Sequence, residues 1–122
     1  MSTDARLRRL GRLSEATAER VADTMFALST PSRVQILGCL LEGPRTVSDL
    51  VEVSGMEQSA VSHQLRILRE HRLVTAEREG RNRVYALCDE GVVSLLEGAL
   101  RHVARNRRRK PPLAARLKRS SG

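Results

Sequence analysis

Apolar positions recur at helical spacing along most of the chain and switch to an extended pattern only once. Ala18, Val21, Ala22, Met25 and Leu28 share one face of a helix predicted over Ser14–Leu28. Thr30-Pro31 marks the next start, a hydroxyl at the N-cap followed by proline at the first helical position. This second helix runs to about Leu41 with Val34, Leu37 and Leu41 inward, and Gly43-Pro44 stops it. Thr46 and Asp49 have capping-box spacing and open a short third helix reaching about Val53. After the Ser54-Gly55 turn, Glu57–Glu70 is a fourth helix with Val61, Leu65 and Leu68 on its apolar side. Leu73–Arg78 and Arg83–Leu87 then read as strands of a β-hairpin around Glu79-Gly80-Arg81-Asn82. Asp89 caps a last amphipathic helix carrying Val92, Leu96, Ala99 and Val103, which ends before Pro111-Pro112.

The predicted order is α-α-α-α-β-β-α. A short helix, a glycine-containing turn and a longer helix followed by a hairpin describe a winged helix–turn–helix, mainly α with a small β-hairpin. Three parts are expected: a flexible or partly helical lead-in over 1–13, a DNA-binding and dimerisation domain over 14–106, and a basic, disordered tail over 107–122.

Composition sharpens this picture. Phe26 and Tyr85 are the only aromatic residues, so the core must be aliphatic and small, and pairing with a second copy would add burial. The formal net charge is +8, but residues 101–122 hold nine Arg or Lys and no acid, leaving 13 basic against 14 acidic residues before them. The positive charge is therefore an electrostatic arm rather than a property of the domain. No apolar run is long enough to span a bilayer and the N-terminus has no apolar h-region, so a cytoplasmic protein is expected. Cys39 and Cys88 cannot make a disulfide scaffold and read as small buried hydrophobes.

The fourth helix carries the candidate chemistry. Its outward face starts with Gln58, Ser59, Ser62 and His63 and continues to Arg66 and Arg69. Short polar side chains at the front permit close approach to base edges in the major groove, where Gln can bond adenine through two hydrogen bonds. Arg66 and Arg69 suit phosphates. Arg81 and Arg83, at the hairpin, suit the flanking backbone or the minor groove. A solvated helix face would also be polar here. Against that, Gln58–Ser62 contains no charged residue, and a hairpin follows at the distance a wing requires.

At Leu28–Leu37, Gln58–Arg66 and Glu79–Leu87 the sequence resembles the ArsR/SmtB family of bacterial metal-sensing regulators, over roughly 16–105. The resemblance implies a homodimer paired through the first and last helices, with Gln58, Ser59, Ser62 and His63 facing the groove. Glu57 departs from the family's usual cap. The family's thiolate site has no counterpart, because Thr46-Val47-Ser48-Asp49 contains no cysteine. Its second site, between the two last helices, is matched by Asp89 and His102, whereas Gly91 and Arg105 replace the other two ligands. Cys88 and Glu90 flank Asp89 as substitutes, and Ni²⁺ or Zn²⁺ would be the occupant. The alternative is that Asp89 only caps the helix and His102 is an ordinary interface residue.

The expected function is a sequence-specific DNA-binding regulator, normally a repressor, on a palindromic double-stranded operator. Responses to a non-metal or thiol-redox signal remain alternatives, as does a basic, nonspecific nucleic-acid binder driven by the tail. Enzymatic roles find no support. Ser62 and His63 are neighbours that leave a helix in different directions, so they form no nucleophile–base pair.

Overall fold

Residues 13–106 are described by a computed structural model, so residues 1–12 and the tail 107–122 lie outside the described residues. The helices are α1 (Glu15–Ala27), α2 (Pro31–Leu41), α3 (Val47–Ser54), α4 (Gln58–Glu70) and α5 (Glu90–Arg105). The strands are β1 (Arg45–Thr46), β2 (Val74–Glu79) and β3 (Asn82–Leu87). The order matches the predicted winged helix–turn–helix with one addition. β1 pairs antiparallel with β3, Arg45 opposite Tyr85 and Thr46 opposite Val84, so the hairpin becomes a three-stranded sheet in the order β1-β3-β2. Two residues carry no alternation to detect, and their pairing depends on a partner some forty residues away.

Caps explain where the helices begin. Ser14 Oγ accepts a hydrogen bond from Thr17 N–H at 3.2 Å. Thr46 and Asp49 form the predicted capping box, with Asp49 N–H donating to Thr46 Oγ1 at 3.1 Å and Thr46 N–H donating to Asp49 Oδ2 at 3.0 Å. Those hydrogen bonds from Thr46 hold the Asp49 carboxyl below the usual carboxylate range. Asp89 Oδ1 accepts from Val92 N–H at 3.0 Å at the start of α5. Thr30 is different. Its backbone occupies the N-cap position, but its buried hydroxyl caps nothing, and α2 starts on the fixed φ of Pro31 instead.

The core is aliphatic, as composition requires. Ile36 and Leu37 of α2, Leu50 of α3, and Val61, Leu65 and Leu68 of α4 are fully buried. Leu73, Val74, Tyr85, Val92 and Leu96 close it from the sheet and α5. Each such Leu contributes about 1.5–3 kcal/mol relative to exposure. Two inward assignments need correction. Val34 is 41% exposed, because α2 turns Ile36, Leu37 and Leu40 toward the core while Val34 lines an apolar cleft between α1 and α5. Cys88, expected to be buried, is exposed just past β3, while Cys39 is half-buried against the core.

α1 is a helix whose apolar side finds little to cover it within one chain. Only Ala27 is buried, and Val21, Met25 and Phe26 are exposed, Phe26 to 68%. On α5, Leu100 and Val103 are exposed in the same way. The cleft between these helices and α2 has a volume of about 520 Å³ and an almost wholly apolar lining.

The end of α4 is closed by a Schellman arrangement. Leu73 N–H donates to Leu68 C=O at 2.9 Å and Arg72 N–H to Arg69 C=O at 3.0 Å. This places Arg72 at φ 57°, the left-handed region that glycine normally fills. Arg72→Gly is therefore expected to raise unfolding stability by about 0.5–1 kcal/mol. Urea denaturation checks it, and a lower midpoint would mean that the Arg72 side chain makes a contribution larger than its backbone strain.

Candidate nucleic-acid interface

The turn between α3 and α4 is set by its own hydrogen bonds. Gly55, at φ 73°, ends α3 by donating to Val51 C=O at 3.0 Å, and Met56 N–H donates to Ser54 Oγ at 3.1 Å. Glu57 then stands at the N-cap of α4 without a side-chain cap bond. With Val61, Leu65 and Leu68 buried, helical period leaves Gln58, Ser59, Ser62, His63, Arg66 and Arg69 outside, and all six are exposed. Arg81 and Arg83 are exposed on the hairpin, whose two-residue loop puts Gly80 first at φ 63°.

Four of these eight residues meet. A cleft of about 360 Å³ opens where α3, α4 and β3 come together, lined by Val47, Ser62, Leu65, Arg66, Arg69, Arg83 and Tyr85. Two arginines from the helix and one from the wing border it, together with Ser62 and Tyr85. Among the described residues the close contacts between basic and acidic side chains are Arg45–Glu42 and His71–Asp23, so no carboxylate pairs with Arg66, Arg69 or Arg83. Converging guanidinium groups without acids suit a phosphate oxygen, which accepts hydrogen bonds while screening their repulsion. Gln58, Ser59 and His63 lie outside this cleft, on the forward part of the helix, and Arg81 stays at the hairpin tip. Sequence reasoning missed Tyr85 and Val47 as the cleft's floor. The β1–β3 pairing that seats Tyr85 beside α3 had no readable signal.

The candidate metal ligands are not brought together. Asp89 and His102 sit at opposite ends of α5, about 20 Å apart along the helix axis. One Asp89 oxygen is occupied by the cap to Val92, and the exposed His102 has Nδ1 3.3 Å from Asn106 Nδ2. Cys88 and Glu90 are exposed beside Asp89. No group of three or more His, Cys, Asp or Glu that could hold an ion occurs among the described residues. The donors of one chain thus do not fit a metal ion; only an antiparallel pairing of two α5 helices could bring one helix's start beside the other's end.

Comparison with known proteins identifies this arrangement. The sequence pattern described as "Bacterial regulatory protein, arsR family" matches residues 30–76, which span α2 to the start of the hairpin. The HTH-type transcriptional regulator NmtR of Mycobacterium tuberculosis is 53% identical over 90 residues, 74% of this chain and 75% of that protein. The chain belongs to the ArsR family.

Two solved ArsR-like structures bear on its shape. The homodimeric winged helix–turn–helix domain of Mb0332 from Mycobacterium bovis superposes with a TM-score of 0.68 at 32% identity, covering 78% of this chain and 90% of that one. The AntR antimony-specific transcriptional repressor gives 0.71 at 31% identity, covering 79% and 87%. This ArsR-family chain is a DNA-binding transcriptional regulator and not an enzyme. No described helix is long and apolar enough to cross a membrane.

If the cleft holds one phosphate, its arginines share a single ionic contact in each protomer. Arg66→Gln, Arg69→Gln and Arg83→Gln are each expected to reduce the slope of log affinity against log salt by a fraction of about 1 per protomer, all three together by no more than about 1 per protomer, and to weaken all duplexes alike. Anisotropy titrations across a salt series measure this. An unchanged slope for all three would place the phosphate contacts elsewhere.

Proposed function

We propose that this regulator binds a palindromic double-stranded operator as a homodimer and represses transcription from it. The observation that carries the reading is the division of α4. One side is locked into the core by Val61, Leu65 and Leu68, and the other presents uncharged Gln58, Ser59 and Ser62 ahead of Arg66 and Arg69. The forward residues, with His63, meet base edges in the major groove, while Arg66, Arg69 and Arg83 hold the backbone. Arg81 reaches the flanking backbone or minor groove from the hairpin tip.

Two copies pair through the faces that one chain leaves open. Val21, Met25 and Phe26 of α1 and Leu100 and Val103 of α5 supply the apolar surface, and the homodimeric Mycobacterium bovis domain supports the assembly. The two α4 helices then enter successive major grooves about 34–36 Å apart. The basic residues beyond Asn106 add sequence-independent attraction.

Wild type is expected to sediment as a dimer at micromolar concentration. Ser62→Ala combined with His63→Ala is expected to cost about 1–3 kcal/mol per lost base contact on a duplex selected from a random pool, with little change in folding. Operator binding equal to wild type by the double variant would remove α4 from the groove.

For the effector, we propose a divalent ion held weakly between paired α5 helices by Asp89 and His102, with Glu90, Cys88 or water completing the shell. The support is the exposure of all four residues at or beside the two ends of α5. Gly91 offers no donor and Arg105 cannot lose its proton to become one. That incomplete set favours a hydrated, six-coordinate ion such as Ni²⁺ over tetrahedral Zn²⁺. Calorimetry with each ion on wild type and His102→Ala tests this. Binding is expected in wild type and lost in the variant. Equal binding moves the site elsewhere, and no binding to either points to a non-metal signal.

A further inference from the structure

Arg33 is the one charged residue in the buried set, 7% exposed, and no carboxylate pairs with it among the described residues. It stands in the first turn of α2 and reaches in two directions. Nε donates to Ala27 C=O and Nη2 to Phe26 C=O at 3.4 Å, which closes the last turn of α1. Nη1 donates to Gln64 Oε1 at 3.0 Å, on α4. A guanidinium fork has the planar geometry to hold partners on two elements at once, and burial makes each of those bonds costly to lose.

Capping α1 would require only the first pair of bonds. The bond to Gln64 does something else. Gln64 follows His63 directly and lies between the groove-facing side of α4 and its buried Leu65. A rotation of α4 by about 10° would carry a side-chain tip at the helix surface by about 1 Å, which is enough to break base hydrogen bonds. The close-packed apolar stripe of α4 sets the helical phase coarsely, since aliphatic contacts are non-directional, whereas the directional bond to Arg33 sets the last few degrees. On its other side Arg33 grips the backbone of Phe26, whose exposed ring belongs to the open apolar face of α1.

We propose that Arg33 is a positioning residue that fixes the rotation of α4 against the end of α1 through Gln64. In this way the seating of a second copy on α1 is coupled to sequence discrimination by α4. The inference rests on the reading of α4 as the groove helix. A contact at 3.6 Å between His71 Nε2, at the end of α4, and Asp23 Oδ2 of α1 brings the same two helices together at a second point.

The test compares affinities for two duplexes: one selected by wild type from a random pool, and a scrambled duplex of the same composition. Gln64→Leu keeps the side chain's size, removes the acceptor and leaves the cap on α1 intact. It is expected to lower the selected-to-scrambled ratio by about three- to tenfold, with a small drop in melting temperature from the unsatisfied Arg33 donor and unchanged affinity for the scrambled duplex. Arg33→Lys, which keeps the charge but not the fork, is expected to lower the ratio similarly. The double variant should be no worse than either single one. Additive losses would overturn the inference, because Gln64 would then touch DNA on its own account. An unchanged ratio in Gln64→Leu would also overturn it, leaving Arg33 as a cap for α1 alone. If Ser62→Ala with His63→Ala also leaves the ratio unchanged, the assignment of α4 to the groove is what has failed.

Discussion

Val61, Leu65 and Leu68 make one side of α4 part of the core, and the rest of the molecule depends on that contact. These three residues meet Ile36 and Leu37 of α2 and Leu50 of α3 in a single aliphatic cluster. The burial does more than stabilise the domain. Because a helix repeats every 3.6 residues, fixing these three positions decides which residues face outward. The same stripe therefore aims Gln58, Ser59, Ser62 and His63 away from the protein and turns Arg66 and Arg69 toward the wing. An aliphatic residue deep in the domain and a polar residue on the outer face of α4 are two consequences of one helical phase.

The opposite end of the domain shows the complementary situation. α1 and α5 are amphipathic, yet their apolar sides are only partly covered in one chain. Phe26, one of the chain's two aromatic residues, is left outside, while Tyr85 is inside. A protein this poor in aromatic area gains much from covering such a surface with a second copy. Assembly and folding are then parts of one free energy, with the winged core supplying the rigid half and the outer helices the associative half.

Most of this was legible in the chain because the signals were local. The capping box at Thr46 and Asp49, the Asp89 cap, the Gly55 turn and the α4 stripe each lie within a few residues, and each appears where the pattern puts it. The failures were of the opposite kind. Thr30 has the right residue type for a cap, but its hydroxyl is not used. Val34 has helical phase with Leu37 and Leu41, but helix packing exposes Val34 and buries Ile36, Leu37 and Leu40. β1 exists only through pairing with β3. The arginine cleft was half legible: residue types placed Arg66, Arg69 and Arg83 on the DNA side, but only the fold brings them around one space. Asp89 and His102 sit where the sequence puts them, at the start and near the end of one helix, so a shared ion would need the α5 of a second copy.

The short β1 pairing has a consequence for the DNA as well. By tying the start of α3 to β3, it joins the wing to the helix–turn–helix at a point other than the end of α4. Wing and reading helix then move as one piece, and the distance between them is a fixed ruler. On the proposed palindromic operator, that fixed separation would hold the length of each half-site constant, leaving base identity and the spacer between halves as what differs among accepted sites.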